Sequence, residues 1–434
     1  MVGITRLSVS DPDFENRFAQ LLSGNEILDQ ELTATVSNIL NDVRDNGVTA
    51  LVEYTNRFDR RAAGPGDLEV PQTVLEQAVA TIPQDLRRAL EDAAERITAY
   101  HRHQTGRSWS FEDQDGSTLG QRITPLDRVG IYVPGGKAAY PSTVLMNAIP
   151  ARVAGVGEIV MTAPAPDNEL DPVVLAAAHI AGVDRVFSVG GAQAVAALAF
   201  GAGPVPAVDK IVGPGNRYVA AAKRLVFGVV GIDMIAGPSE VVIVADDSAD
   251  PDWIAMDMFA QAEHDEDARA ILVTADASLP AGVEASVNRQ ISRMERAGII
   301  RAAMENNGAM ILVEDAQQAC DIVNRLAPEH LELAVQDPGN YLEGIRHAGA
   351  IFLGHFAAEA LGDYCAGPNH VLPTARTARF SSPLGVYDFQ KRTSLVQCTP
   401  ESASRLAETA TILARAEGLT AHARAAELRI RESE

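Results

Sequence analysis

With 434 residues, 47% hydrophobic and 5% aromatic, the chain has a globular composition and more length than one ordinary core requires. No stretch approaches the roughly 18 uninterrupted apolar residues of a membrane span. Acidic residues outnumber basic ones by 58 to 36, for a net charge of -22, and no local basic patch offsets this, which argues against a nucleic-acid partner.

Three cysteines, Cys320, Cys365 and Cys398, are widely spaced and odd in number, so neither a disulfide framework nor a Cys-x-x-Cys metal site is available. The start, MVGITRLSVSDPDFENRF, lacks the apolar run of a secretory signal. A reducing cytoplasm is the expected setting.

In chain order, the first quarter reads as long helices. LDQELTATVSNILNDVRDNGVTALVEYTNRF and LEQAVATIPQDLRRALEDAAERITAYHRH repeat apolar residues at the spacing of one helix face. From about Arg128, short β-branched runs end in glycine and lead into alanine-rich helical stretches, as βαβ units do. The first set is RVGIYVPGG, EIVMTAP, RVFSVGG and KIVGPG; the second, after Gly237, is EVVIVAD, AILVTAD, AMILVED and AIFLG. Two sets predict two α/β domains with mostly parallel sheets, divided near the turn at Gly237 to Glu240. Beyond Ser381, one extended stretch, DFQKRTSLVQC, and a charged helical run are too short for a core of their own and must dock elsewhere.

Candidate chemistry gathers in three places. Gln261 and His264, three residues apart in FAQAEHDED, share one face if the segment is helical, as a metal pair or as an exposed polar helix end. Glu329 and His330, in APEHLEL, form a plausible proton-transfer pair beside a strand-like run. LGDYCAGPNHVLPT carries Asp363, Cys365, Asn369 and His370 on a loop that glycine and proline must order. Cys365 could serve as a thiol nucleophile for aldehyde chemistry, although a lone intracellular cysteine is more often an inert small hydrophobe.

The Gly-x-Gly-x-x-Gly fingerprint of nicotinamide enzymes is absent. Three glycine-marked turns stand instead: YVPGGK at Tyr132 to Lys137, VGGAQA at Val189 to Ala194 and GPGNRY at Gly213 to Tyr218. Each could receive a phosphate at a helix start or simply be a tight turn.

Together, YVPGGKAAYPSTVLMNAIPA, GGAQAVAALA, VGPGNRYVAAAKR, IAGPSE, AQAEHD, APEHLEL, LGDYCAGPNHVLPT, DFQKR and EGLTAH closely resemble the histidinol dehydrogenase family, in that family's order from Arg128 to the C-terminus. The resemblance implies two incomplete Rossmann-like domains, with a helical N-terminal arm and a small C-terminal swapped segment. The implied boundaries are an arm at 1–25, a first α/β domain of 26–131 with 239–384, a second of 132–238, and a dimer-swapped segment at 385–434.

It also implies one zinc per subunit, held by Gln261, His264, Asp363 and His422, and oxidation of L-histidinol through the aldehyde to L-histidine with two NAD. His330 would be the general base and Glu329 the residue that activates water. Ser239, His370 and Glu417, with those metal-site and catalytic residues, would contact the substrate, and Tyr132, Gln193 and Asn216 would contact NAD. The family is a homodimer, so Glu417 and His422 would complete the partner's site. Three rival readings are an NAD-linked dehydrogenase of another small alcohol on this fold, a zinc hydrolase using Glu329, and a non-enzymatic α/β protein.

Overall fold

The computed structural model describes residues 2–22, 30–135, 140–235 and 237–431. Gly136 and Lys137 of the first glycine-marked turn, Ala236 of IAGPSE, and the expected boundary between residues 25 and 26 lie outside the described residues.

One six-stranded sheet runs in the spatial order Thr5–Ser8, Ala309–Leu312, Arg269–Thr274, Glu240–Ala245, His330–Ala334 and Ala350–Leu353. Every pairing in it is parallel. Its central strand, EVVIVA, is buried at all six positions, as a strand covered on both faces must be. Apolar side chains pack over both faces, with Val241, Ile243 and Met258 in one layer and Val242, Val244 and Phe18 in the other.

A second sheet follows the order Glu69–Val70, Arg185–Phe187, Glu158–Thr162, Arg128–Tyr132, Lys210–Val212 and Gly231–Ile232. All its pairings are parallel except that of Glu69–Val70 with Arg185–Phe187. The long helices Gln30–Asn46 and Gln84–Arg102 cover opposite faces of this sheet, through Val36, Leu40 and Val43 on one side and Leu90, Ala93 and Ile97 on the other.

Sheet membership therefore departs from the expected domain limits. The arm contributes a strand to the first sheet, while residues 30–102 and 128–131, expected with 239–384, cover the second sheet or supply strands to it. Helical periodicity reveals that a segment has an apolar face; which sheet that face covers is a long-range outcome.

A third, antiparallel sheet orders Gln390–Gln397, Thr118–Pro125 and Trp109–Glu112, so the extended stretch DFQKRTSLVQC docks on its own chain. Helices Pro400–Ala416 and Thr420–Glu427 then pack mainly on each other. Ile412 is 69% exposed, Leu413 60% and Leu428 85%, leaving apolar surface uncovered on the tail. No helix among the described residues is long and apolar enough to cross a membrane.

Candidate active site between two sheets

A cleft of about 500 Å³ lies between the two six-stranded sheets. On one side it meets the C-terminal ends of Arg128–Tyr132 and Lys210–Val212, adjacent strands whose crossovers leave in opposite directions. Ligands of open α/β sheets settle at such switch points. On the other side it meets the N-terminal ends of Glu240–Ala245 and His330–Ala334.

Helix Pro251–Ala262 starts firmly, with Pro251 in its first turn and the Asp250 carboxylate accepting from Asp252 N. Its last turn carries Gln261, fully buried, to the cleft wall, and His264 follows just beyond the helix end. Assigned by its hydrogen-bond network, the Gln261 amide donates from Nε2 to the Glu359 carboxylate at 3.0 and 3.1 Å. Its Oε1 is thereby turned away from that carboxylate and free to accept.

Glu329 and His330 stand where helix Ala316–Leu326 gives way to a strand. Ala327, at φ +46°, takes the left-handed conformation that ends the helix, and Pro328 prevents its continuation. Strand Ala350–Leu353 then grips the segment, since Gly349 N donates to Pro328 O and Ala350 N to Glu329 O, both at 2.9 Å. A Cβ on Gly349 would fall 2.5 Å from the Glu329 carbonyl oxygen, so only glycine fits this close approach.

The backbone of Glu240 orients both reactive side chains. Its N–H donates to Glu329 Oε2 at 2.9 Å, and its carbonyl lies 3.2 Å from His330 Nδ1. Donation from Nδ1 to that carbonyl turns Nε2 toward the cleft, 3.3 Å from Asp363 Oδ1. Asp363 projects from a wide helical turn, Gly362–Ala366, of the kind often found at functional sites.

Burial pushes the Glu329 carboxyl up to about 7, within reach of neutral-pH proton transfer. Burial also pulls the His330 imidazole down, but Glu359, Glu329 and Asp363 outweigh it and hold its pKa well above the usual value. Desolvation lowers His264 and His370, keeping both rings neutral, as metal or substrate donors must be. His370 Nε2 is buried on the cleft wall without a partner among the described residues.

The histidinol dehydrogenase family profile matches residues 23–430 of the chain. A histidinol dehydrogenase from Chromobacterium violaceum is 60% identical, over 98% of this chain and 99% of that protein. One from Pseudomonas aeruginosa is also 60% identical, over 99% and 98% respectively. The crystal structure of histidinol dehydrogenase from Elizabethkingia anophelis superimposes with a TM-score of 0.93 at 32% identity, over 98% of each chain.

The chain belongs to the histidinol dehydrogenase family.

Within this histidinol dehydrogenase fold, the cleft unites Ser239, Gln261, His264, Glu329, His330, Asp363, His370 and Asn216. The Asn216 side chain also caps helix Arg217–Val226, accepting from Tyr218 N and Val219 N at 3.0 and 3.2 Å. Tyr132 and Gln193 do not line the cleft. They are buried behind it, Tyr132 Oη accepting from Gly191 N at 3.1 Å while neither Gln193 amide atom has a partner among the described residues. Glu417 and His422 do not line it either; both are exposed, Glu417 just after the first tail helix and His422 on the second. Cys365 is exposed and has no place in the cleft wall.

Sequence reasoning overlooks Glu359. Its carboxylate, 3% exposed, is held 3.8 Å from His330 Nδ1 and against the Gln261 amide, and with His330 and Asp363 it forms a group that could hold a cation. The available signal was spacing, since Glu359 and Asp363 stand four residues apart, one helical turn, in FAAEALGDY.

Proposed function

We propose that the chain oxidises L-histidinol through L-histidinal to L-histidine with two NAD and one zinc per subunit, acting in the cytoplasm as a homodimer. Family membership supports the reaction class. The observation that carries the residue-level reading is the convergence, on one cleft wall, of an amide oxygen, a neutral imidazole and a carboxylate beside the Glu329–His330 pair.

Gln261 Oε1, His264 and Asp363 suit zinc as borderline to hard donors, and a fourth, His422 of the partner subunit, would close the set. Zinc held there supplies a Lewis-acidic anchor for the amine and imidazole of histidinol, keeping the aldehyde bound between two cofactor visits.

The chain's own residues do the rest. His330 Nε2 takes the alcohol proton as hydride passes from the carbinol carbon to NAD. With Asp363 engaged by zinc, that carboxylate is offset and the cation close to His330 opposes the imidazolium that Glu359 and Glu329 favour, leaving His330 to act as a neutral base. Glu329 draws a proton from water as its oxygen adds to the aldehyde carbon, and His330 serves again as the hydrate loses hydride. Ser239 and His370 hold the substrate from the cleft wall. The glycine turn at Gly213 receives NAD at the switch point, with Asn216 as a contact and Tyr132 and Gln193 supporting the dinucleotide from behind.

The exposed apolar tail supports an exchange of C-terminal segments between subunits, with Glu417 and His422 acting in trans. Co-refolding inactive His330→Asn chains with inactive His422→Ala chains tests both the activity and the exchange. Random pairing should restore about a quarter of wild-type NADH production from L-histidinol, because half the dimers are mixed and each contains one intact site. No recovery would contradict the shared site. Vigorous turnover of an unrelated alcohol with none of L-histidinol would favour another dehydrogenase on this fold.

A further inference from the structure

We propose that Lys223 and Asp233 are positioning residues that clamp the turn Gly213–Asn216 in its dinucleotide-receiving shape; this rests on the reading that NAD docks there. Lys223 comes from helix Arg217–Val226, and Asp233 follows strand Gly231–Ile232. Their side chains are 3% and 1% exposed and form an ion pair. Lys223 Nζ donates to Gly213 O at 2.9 Å, and Asp233 Oδ2 accepts from Gly213 N at 2.8 Å. The two charges grip both polar groups of one residue.

Stability alone does not call for such a pair, since apolar side chains of similar volume are commonly as stable as a buried ion pair or more so. The gripped residue is also a special one. Gly213 has φ +108°, and a Cβ there would lie 2.2 Å from the Tyr132 carbonyl oxygen. The turn is thus pressed onto the end of the neighbouring strand in a conformation that only glycine adopts freely, and the clamp holds it there. Pro214, Gly215 and Asn216 leave the clamp directly into the cleft, whose wall also includes Lys223 and Asp233. A turn held rigid before the ligand arrives does not have to be ordered at binding, which raises affinity.

The pair's charges satisfy each other, so its contribution is geometric, and neutral side chains with the same hydrogen-bonding pattern should replace it. The test is calorimetric titration of NAD, and separately of L-histidinol, into the zinc-loaded full-length protein. For Lys223→Met/Asp233→Leu, the NAD dissociation constant should rise roughly tenfold or more, as the loss of two hydrogen bonds to the turn implies. L-histidinol affinity should stay within about twofold, because its donors lie across the cleft on other elements. For Lys223→Gln/Asp233→Asn, which keeps a donor for Gly213 O and an acceptor for Gly213 N, NAD affinity should return close to wild type.

The milder Lys223→Met/Asp233→Asn variant keeps one of the two grips and should fall between; it carries the comparison if the apolar pair does not fold. Unchanged NAD affinity in the variants that lose a grip would overturn the clamp, as would failure of the Gln/Asn pair to restore it. Wild-type protein that binds L-histidinol but not NAD would instead overturn the docking reading beneath it.

Discussion

His330→Asn will lower kcat for L-histidinol oxidation by roughly 10²- to 10⁴-fold, the usual contribution of a positioned general base. The amide nitrogen of asparagine can occupy the place of Nδ1 and keep the bond to the Glu240 carbonyl, 3.2 Å away in the native protein. What disappears is the nitrogen facing Asp363, at 3.3 Å, and with it the group that takes the alcohol proton. Zinc content and NAD affinity should persist, since His330 is assigned to neither. Steady-state kinetics with metal analysis on the same sample separates the cases. Loss of kcat with full zinc supports the base, whereas loss of both would make His330 a structural or metal-holding residue.

His264→Ala will weaken zinc binding by at least about 10²-fold, because even second-shell partners commonly contribute 10- to 100-fold to metal affinity and a direct ligand contributes more. Competition against a chromophoric chelator reads this without reference to turnover. Glu359→Gln provides the graded comparison. The Glu359 carboxylate accepts from the Gln261 amide at 3.0 and 3.1 Å and so fixes which end of that amide faces outward. A glutamine there could present its own NH2 to the Gln261 nitrogen and disturb that choice, for an expected loss of about tenfold. Wild-type zinc affinity in His264→Ala would remove His264 from the metal site and reopen the reading of Gln261 and His264 as a polar helix end.

The strands are legible where burial acts on a continuous run. RVGIY, EIVMT and EVVIVA announce themselves because a parallel strand covered on both faces is apolar in a nearly continuous run, here broken mainly by the charged residue that opens each strand. Trp109–Glu112 does not, being exposed at every position and held by backbone pairing to Thr118–Pro125. Thr5–Ser8 is short and polar at all but Leu7, and only its pairing with the distant Ala309–Leu312 makes it a strand.

The candidate site divides along the same line. Gln261 with His264, Glu329 with His330, and Asp363 with His370 are readable as local clusters, and the resemblance ties them together. Glu359, Lys223 and Asp233 read as ordinary charged residues until folding buries each against partners elsewhere: His330 for the first, the Gly213 turn for the others. Tyr132 and Gln193, expected at the nucleotide, are buried behind the cleft wall, because the alternation that fills a sheet face with Tyr132 leaves its hydroxyl to the Gly191 amide.

The central claim is a four-electron, zinc-dependent oxidation at this one cleft, and its most direct test is the number of NADH formed per L-histidinol consumed by purified protein, before and after chelation. Two NADH per substrate, lost with the chelator and regained with zinc, is the predicted result. A single NADH with release of the aldehyde, or a yield indifferent to chelation, would contradict it.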